Sequence, residues 1–380
     1  MRFYVIFTVV FMFMLAVTLV QVRRQIHLHR HASWGLLALG LAVSAVLAST
    51  RLMPESWSMS VATPVWWVGY GIFALVAYLF LFQVMLFVAE MIARVALPGF
   101  APALCSPRAL VGVVLLTGLV VGYGTRELDN VRVLKRTVVS DKISQPLRLV
   151  AMSDLHLGAM TLPSRVDALV ALVNAQKPDV LLLVGDIVND HPEALKPLAS
   201  KLAAARPRLG TFGVFGNHER YEGDEKSAAV FRWAGAELLR NRVVPLPKAG
   251  IQILGVDDPG RAGNVTATLA EEIRSLAPNL DPTRVSVLLN HRPQAWREAA
   301  KPLGIEVMLS GHTHRGQLYP FYLVVSLSYE FMGGFYEEDG KLLGVSAGAG
   351  FWGPPLRVLA PPDILVVDLL PQSAAGKQSF

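Results

Sequence analysis

Asp154 and His156, Asp186, Asn217 with His218, His291, and His312 with His314 are the side chains of this sequence best placed to do chemistry. Each group follows an apolar run. Residues 147–152 lead into Ser-Asp154-Leu-His156, and 180–184 into Gly-Asp186. Residues 211–215 lead into Gly-Asn217-His218-Glu219, 285–289 into Asn-His291, and 307–309 into Ser-Gly-His312-Thr-His314. Imidazole, carboxylate and amide oxygen together suit a borderline or hard divalent ion: manganese, iron, zinc, cobalt or nickel. With His218 set apart, seven candidate ligands exceed what one ion needs, so two ions are implied, and an odd count suits a carboxylate that bridges them. The single cysteine, Cys105, excludes an internal disulfide and a cysteine zinc site.

These groups need elements that bring them together. Residues 180–184 are five consecutive apolar residues, the pattern of a strand buried on both faces. Gly185 then allows a tight turn, and Asp186 arrives at the strand end with its carboxylate free. Further strands are expected at 131–139, 147–152, 211–215, 251–256, 285–289 and 307–309. Helices are expected at 163–174, 192–205, 226–240, 266–277 and 293–301, several of them opened by proline. This alternation predicts a layered α/β domain. Groups at the C-terminal ends of strands in such sheets face one crevice. Residues at i and i+2 of an extended chain point to one side, so Asp154 with His156, and His312 with His314, are each expected to present two ligands in one direction.

Upstream, the composition changes. A hydrophobic content of 53% and a mean hydropathy of +0.43 exceed those of an ordinary soluble protein. The excess lies in four apolar runs, at 3–22, 33–50, 65–93 and 109–125, against the roughly 20 residues that a span requires. The expected organisation is a four-helix transmembrane anchor at 1–125, a soluble domain at 126–371 and a flexible tail at 372–380. Residues 1–125 hold two acids, Glu55 and Glu90, against seven arginines, whereas the remainder carries 28 basic and 27 acidic side chains. The pI near 9.5 therefore comes from membrane-flanking arginines, and no nucleic-acid partner is expected. Glu90 and Arg94, four apart on one helix face, are expected to pair near the headgroups. Arg23, Arg24 and Arg30 after the first run, with Arg94 and Arg108 after the third, place those short loops in the cytoplasm. That puts the soluble domain outside the cytoplasm, on an inner or plasma membrane.

The full set of motifs resembles the calcineurin-like metallophosphoesterases, whose pattern is D-x-H, G-D, G-N-H-[ED], H and G-H-x-H. Here these are Asp154-Leu-His156, Gly185-Asp186, Gly216-Asn217-His218-Glu219, His291 and Gly311-His312-Thr313-His314, in order, within a likeness covering about residues 147–368. The ending from Gly348 to Arg357, with Pro362-Asp363-Ile364, is similar to that of the membrane-associated bacterial phosphodiesterases. The resemblance implies a fold of class α/β, a double-sheet sandwich flanked by helices, here preceded by the all-α membrane region. It implies two divalent ions, manganese favoured. One would be held by Asp154, His156, Asp186 and His314, the other by Asp186, Asn217, His291 and His312, with Asp186 bridging and His218 a catalytic residue that binds no metal. Two such cations about 3.5 to 4 Å apart acidify a shared water and offset phosphoryl charge.

The expected activity is that of a membrane-anchored, metal-dependent phosphoric ester hydrolase. It would act on phosphodiesters or phosphomonoesters, with a lipid-linked or envelope substrate as partner. The alternatives are a pyrophosphohydrolase acting on a nucleotide-sugar lipid, and a non-catalytic membrane sensor or scaffold. Arg220, Arg261, Arg292 and Arg315 lie near motif loops as candidate phosphate binders. Arg315 replaces the first glycine of the usual G-H-T-H-G-G-Q, and either clamps a phosphate or faces solvent.

Overall fold

The computed structural model describes residues 2–26, 28–49, 59–261 and 263–375. Residues 50–58, which include Arg51 and Glu55, and 376–380 lie outside the described residues. The chain divides into two compact units, Met1–Arg126 with Gly353–Val358, and Glu127–Trp352 with Leu359–Phe380.

The first unit is helical: α1 (Arg2–Ile26), α2 (Arg30–Ser49), α3 (Met59–Ala96), the short α4 (Ala101–Leu104) and α5 (Pro107–Glu127), whose last residue begins the second unit. Among the described residues three helices are long and apolar enough to cross a membrane: Val5–Ile26, Thr63–Ala96 and Pro107–Glu127. The sequence led to four. The remaining run, 33–50, is the helix α2, whose C-terminal end borders the residues that are not described. Phe11, Met14 and Val76 form the buried contact of α1 with α3. The expected Glu90–Arg94 pair is present, Arg94 Nη2 donating to Oε1 at 2.7 Å. Arg24 of α1 joins it, its Nη2 donating to both Glu90 oxygens at 2.9 and 3.0 Å.

The second unit is built on two six-stranded mixed sheets. The strands are β1 (Arg132–Ser140), β2 (Leu147–Met152), β3 (Val180–Val184), β4 (Thr211–Val214), β5 (Ala236–Leu238), β6 (Arg242–Leu246), β7 (Ile251–Val256), β8 (Val285–Asn290), β9 (Val307–Ser310), β10 (Gly334–Glu338), β11 (Lys341–Val345) and β12 (Asp363–Pro371). The first sheet has the order β1-β12-β2-β3-β4-β5, and the second β10-β11-β9-β8-β7-β6. Strands β2 to β5 run parallel, as do β7, β8, β9 and β11.

Period-two alternation explains how the sheets stack. Ile251 and Ile253 of β7, Val287 and Leu289 of β8, and Val307 and Leu309 of β9 face a core shared with Leu149, Leu182 and Val214 of the first sheet. The intervening Leu254, Leu288 and Met308 face outward, against Leu269 and Ile273 of α10 (Val265–Ser275) and Trp296 of a short π-helical stretch, Trp296–Ala300. The first sheet is accompanied by α6 (Pro163–Ala175), α7 (Lys196–Leu202), α8 (Asn217–Glu222) and α9 (Asp224–Trp233). The layered α/β expectation therefore holds, as two mixed sheets flanked by helices.

One local expectation is corrected, and two further features were not expected. The helix expected at 226–240 ends at Trp233, because Gly235 takes a left-handed φ of 70° and releases the chain into β5. The strands β10 and β11 form a hairpin around Asp339-Gly340, both residues at positive φ (52° and 70°), the turn that an Asp-Gly pair favours. A helical turn, α12 (Gln372–Ala375), opens the segment from 372; the α-helix before it in chain order is α11 (Phe321–Val325).

Candidate metal centre

Parallel strands place their C-terminal ends along one edge of a sheet, and all five motif loops leave from such ends. Asp154 and His156 follow β2, Asp186 follows β3, and Asn217 and His218 follow β4, all in the first sheet. His291 follows β8, and His312 and His314 follow β9, in the second. The first sheet thus supplies both carboxylates and the amide, and the second only imidazoles.

The loops are not extended. Asp154, His156, Asp186, His312 and His314 all have positive φ, between 46° and 71°. A left-handed L-residue costs about 1–2 kcal/mol. Fully burying a Val or Leu side chain stabilises by about 1.5–3 kcal/mol, and all five residues of β3 are buried, so the strand cores outweigh the strain at their ends. Gly185 (φ 78°) has no alternative: a Cβ there would meet the His291 ring.

These turns sort the donors into groups. His156 Nε2 lies 3.0 Å from His314 Nε2, and Asp154 Oδ1 lies 3.3 Å from His314 Nε2 and 3.9 Å from His156 Nε2. His291 Nε2 lies 3.3 Å from His312 Nδ1 and 3.3 Å from Asp186 Oδ2. Asp186 Oδ2 is also 3.8 Å from His156 Nε2, so one carboxylate oxygen faces both groups. Asp154 and His156 fall together as the i, i+2 spacing predicts. His312 and His314 do not: in their left-handed turn they diverge, one to each group.

The donor atoms fit divalent ions. A first-row ion with bonds of about 2.0–2.2 Å holds its donors roughly 3 Å apart, the spacing seen here. Imidazole nitrogens that can offer lone pairs face one another, and the Asn217 Oδ1 atom is buried with no hydrogen-bond partner among the described residues. His291 Nδ1 sits 2.8 Å from the Val184 carbonyl, which can only accept, so this nitrogen carries a proton and Nε2 is the atom turned toward Asp186. Burial lowers this imidazole, but the Asp186 carboxylate outweighs it and pushes it up to about 10, so an ion binding at Nε2 would displace a proton. Burial, then the His218 imidazole, holds His156 well below the usual histidine range, and burial with His291 does the same to His312. Both stay neutral, as a ligand must. Burial opposes charge on Asp186, but the His291 and His218 imidazoles outweigh it and keep the carboxyl well below its ordinary range.

The calcineurin-like phosphoesterase family profile matches residues 147–316, the span that holds all of these groups. A metallophosphoesterase of Aquifex aeolicus, named as uncharacterized, is 36% identical over 251 residues, 65% of this chain and 95% of that one. The chain belongs to the calcineurin-like phosphoesterases. A Helicobacter pylori metallophosphoesterase, also named as uncharacterized, is 33% identical over 249 residues, and this chain spans 66% of its length, just under two thirds. A zebrafish (Danio rerio) relative, named a transmembrane protein with metallophosphoesterase domain, is 28% identical over 310 residues, covering 76% of this chain and 69% of that one. With the apolar N-terminal helices, such relatives indicate that this family member is a membrane protein.

Around the donors the phosphoesterase carries further side chains. His218 is half-buried, its ring 4.6 Å from that of His156, with Tyr221 and Trp352 at 5.6 and 6.1 Å. Its backbone N–H donates to Asp186 Oδ1 at 2.8 Å. Of the four arginines, two are committed to protein groups. Arg292 donates to both oxygens of the buried Asp258 at 2.5 and 3.2 Å and to the Gly260 carbonyl. Arg220 donates to Asp224 at 2.5 Å and to the Asp258 carbonyl at 3.0 Å. Arg261 lies over the Tyr221 ring, 5.2 Å from its centroid. Arg315 is exposed, with no acidic partner among the described residues, and its φ of 50° explains why glycine is usual there.

Sequence reasoning missed two residues that hold the ligands. Buried Glu219 accepts four backbone N–H groups: Gly216 at 2.7 Å, Asp186 at 3.0 Å, Ile187 at 2.7 Å and Val188 at 2.9 Å. Each oxygen accepts two, so this carboxylate ties the β3 and β4 loops together. It was visible as the last letter of G-N-H-E, with no task attached. Tyr329, whose hydroxyl is 2.7 Å from His312 Nε2, follows that ligand by seventeen residues and has no sequence signal.

Proposed function

We propose that this chain is a membrane-anchored phosphoesterase that uses two divalent ions to hydrolyse phosphodiester or phosphomonoester bonds. The observation that carries the reading is the position of Asp186 Oδ2, 3.3 Å from one donor group and 3.8 Å from the other. Asp154, His156, Asp186 and His314 would hold one ion, and Asp186, Asn217, His291 and His312 the other, with manganese the favoured metal. When bound, such a pair supplies hydroxide at neutral pH and neutralises charge on the phosphoryl oxygens. His218, half-buried beside His156, donates a proton to the leaving oxygen. Arg315 holds a non-bridging phosphate oxygen, since Arg220 and Arg292 are occupied by carboxylates. The test combines metal analysis of the purified chain with turnover of a generic aryl phosphodiester. Two metals per chain and metal-dependent turnover support the reading, and a chain that binds no metal ends it.

The helices of residues 1–125 make an anchor in the inner or plasma membrane, and a substrate in or near the bilayer, a lipid-linked or envelope phosphate ester, follows from that placement. With α2 crossing as a fourth span, the arginine-rich connections after α1 and α3 lie on one side and support an extracytoplasmic domain. Alkaline phosphatase fused after Phe380 reads this directly: an active fusion supports it, and an inactive but expressed fusion reverses it.

A further inference from the structure

The chain between the metal ligands and Tyr329 exposes apolar surface that the proposed chemistry does not use. Residues 316–329 contain no charged side chain. Within them Tyr319, Phe321, Tyr322, Leu323, Val324 and Leu327 are 44%, 47%, 36%, 55%, 61% and 86% exposed. Soluble surfaces seldom show so contiguous an apolar patch without a partner for it. Both ends of the segment are pinned at the site. At the start, Gln317 Nε2 donates to the Trp352 carbonyl (2.9 Å) and accepts the Trp352 N–H on Oε1 (3.0 Å), while Trp352 faces His218. At the finish, the Tyr329 hydroxyl meets His312.

Two further observations indicate what covers this surface. First, four residues, 128–131, separate the end of α5, a helix of membrane-crossing length and composition, from β1. At about 3.3–3.6 Å per residue such a linker reaches roughly 15 Å, so the domain stays at the surface of any bilayer that holds the helix. Second, the segment mixes aromatic rings with Leu and Val and begins beside the exposed Arg315, the composition of an element that lies in a lipid interface next to anionic headgroups.

We propose that residues 318–328 dock on the lipid surface, seating the metal centre at the headgroup level so that amphiphilic phosphoesters reach it from the bilayer. This rests on the reading above that the helices anchor the chain in a membrane. The test uses the full chain with Cys105→Ala, a nitroxide placed by Val324→Cys or Leu327→Cys, and phosphatidylcholine–phosphatidylglycerol vesicles. Leu162→Cys, 49% exposed in the native residue, serves as the reference. Docking predicts that the Val324 and Leu327 positions relax several-fold more with oxygen, and several-fold less with a water-soluble nickel chelate, than Leu162. Nickel access equal to that of Leu162 overturns the proposal. So does poor access by both reagents, which would mean a protein partner or a second copy covers the segment. An aryl phosphodiester assay on the same samples separates the two readings. Turnover with an aqueous nitroxide removes the docking alone; a lipid-buried nitroxide without turnover removes the chemistry alone.

Discussion

Glu90 and Asp186 are both buried acids among basic side chains, yet only one of them is complete without a ligand. Glu90 receives donors that carry their own hydrogens, Arg24 at 2.9 and 3.0 Å and Arg94 at 2.7 Å, so charge and hydrogen bonding close within the helical unit. Around Asp186 the neighbours are imidazole nitrogens that point at other imidazole nitrogens, at 3.0 and 3.3 Å, and a second carboxylate. One N–H can fill each of these imidazole contacts, and both nitrogens of a contact can turn lone pairs to a cation once that proton leaves. The difference separates an ion pair from a candidate cation site: in the first, the donors are guanidinium groups that keep their hydrogens; in the second, they are imidazoles that can give theirs up. Burial and charge alone would have ranked the two acids together.

The comparison breaks most sharply at Asp186. Asp186→Asn should leave well under two metals per chain and lower turnover by about 10³-fold or more, since the lost charge stabilisation is worth several kcal/mol. Elemental analysis and kcat on the aryl diester check this. Full occupancy with near-normal turnover would mean that Asp186 is not shared.

A smaller loss distinguishes ligand from proton donor. His218→Ala should retain both ions while kcat falls by about 10²–10⁴-fold, the usual range for a removed general acid. His312→Ala should lose metal as well. If His218→Ala strips metal, then His156, Asp186 and His218, whose donor atoms also lie within 4.8 Å of one another, are themselves a coordination sphere.

Glu219 sharpens the contrast without touching the substrate. Its four N–H bonds hold the loops that aim Asp186 and Asn217, so Glu219→Gln, which turns acceptors into an N–H group facing donors, should weaken metal affinity by about 10–100-fold. A metal titration measures it, and excess metal should restore most of kcat. Loss that no metal concentration rescues would place Glu219 in the chemistry instead.

The ligands were legible because each ends an apolar run, and β2, β3, β8 and β9 fall where those runs lie. The grouping of the ligands was not. An extended i, i+2 rule sends His312 and His314 the same way, whereas φ values of 71° and 48° send them apart, and left-handed backbone at a non-glycine residue leaves no trace in composition. Sheet order was equally hidden. β12 lies between β1 and β2, a pairing more than two hundred residues apart that no local periodicity records. The Asp339-Gly340 hairpin, by contrast, was written in the sequence and passed over.

The smallest effect is expected at the other acid. Glu90→Gln removes the charge from a cluster that has no role at the metal centre, so metal content should be unchanged and turnover should stay within about twofold. The cost is to the helical unit. Breaking a fully buried pair typically destabilises by about 3–5 kcal/mol. Here the Arg94 side chain is 55% exposed and Arg24 32%, so both cations can be solvated once the carboxylate is gone. That lowers the expected loss to about 1–2 kcal/mol. Thermal unfolding of the full chain in detergent should show it as a lower midpoint for the helical transition, while metal titration of the same sample follows the native curve. If Glu90→Gln instead released metal, the two acids would be coupled, and a closed ion pair could no longer be told from an open cation site by the atoms that surround it.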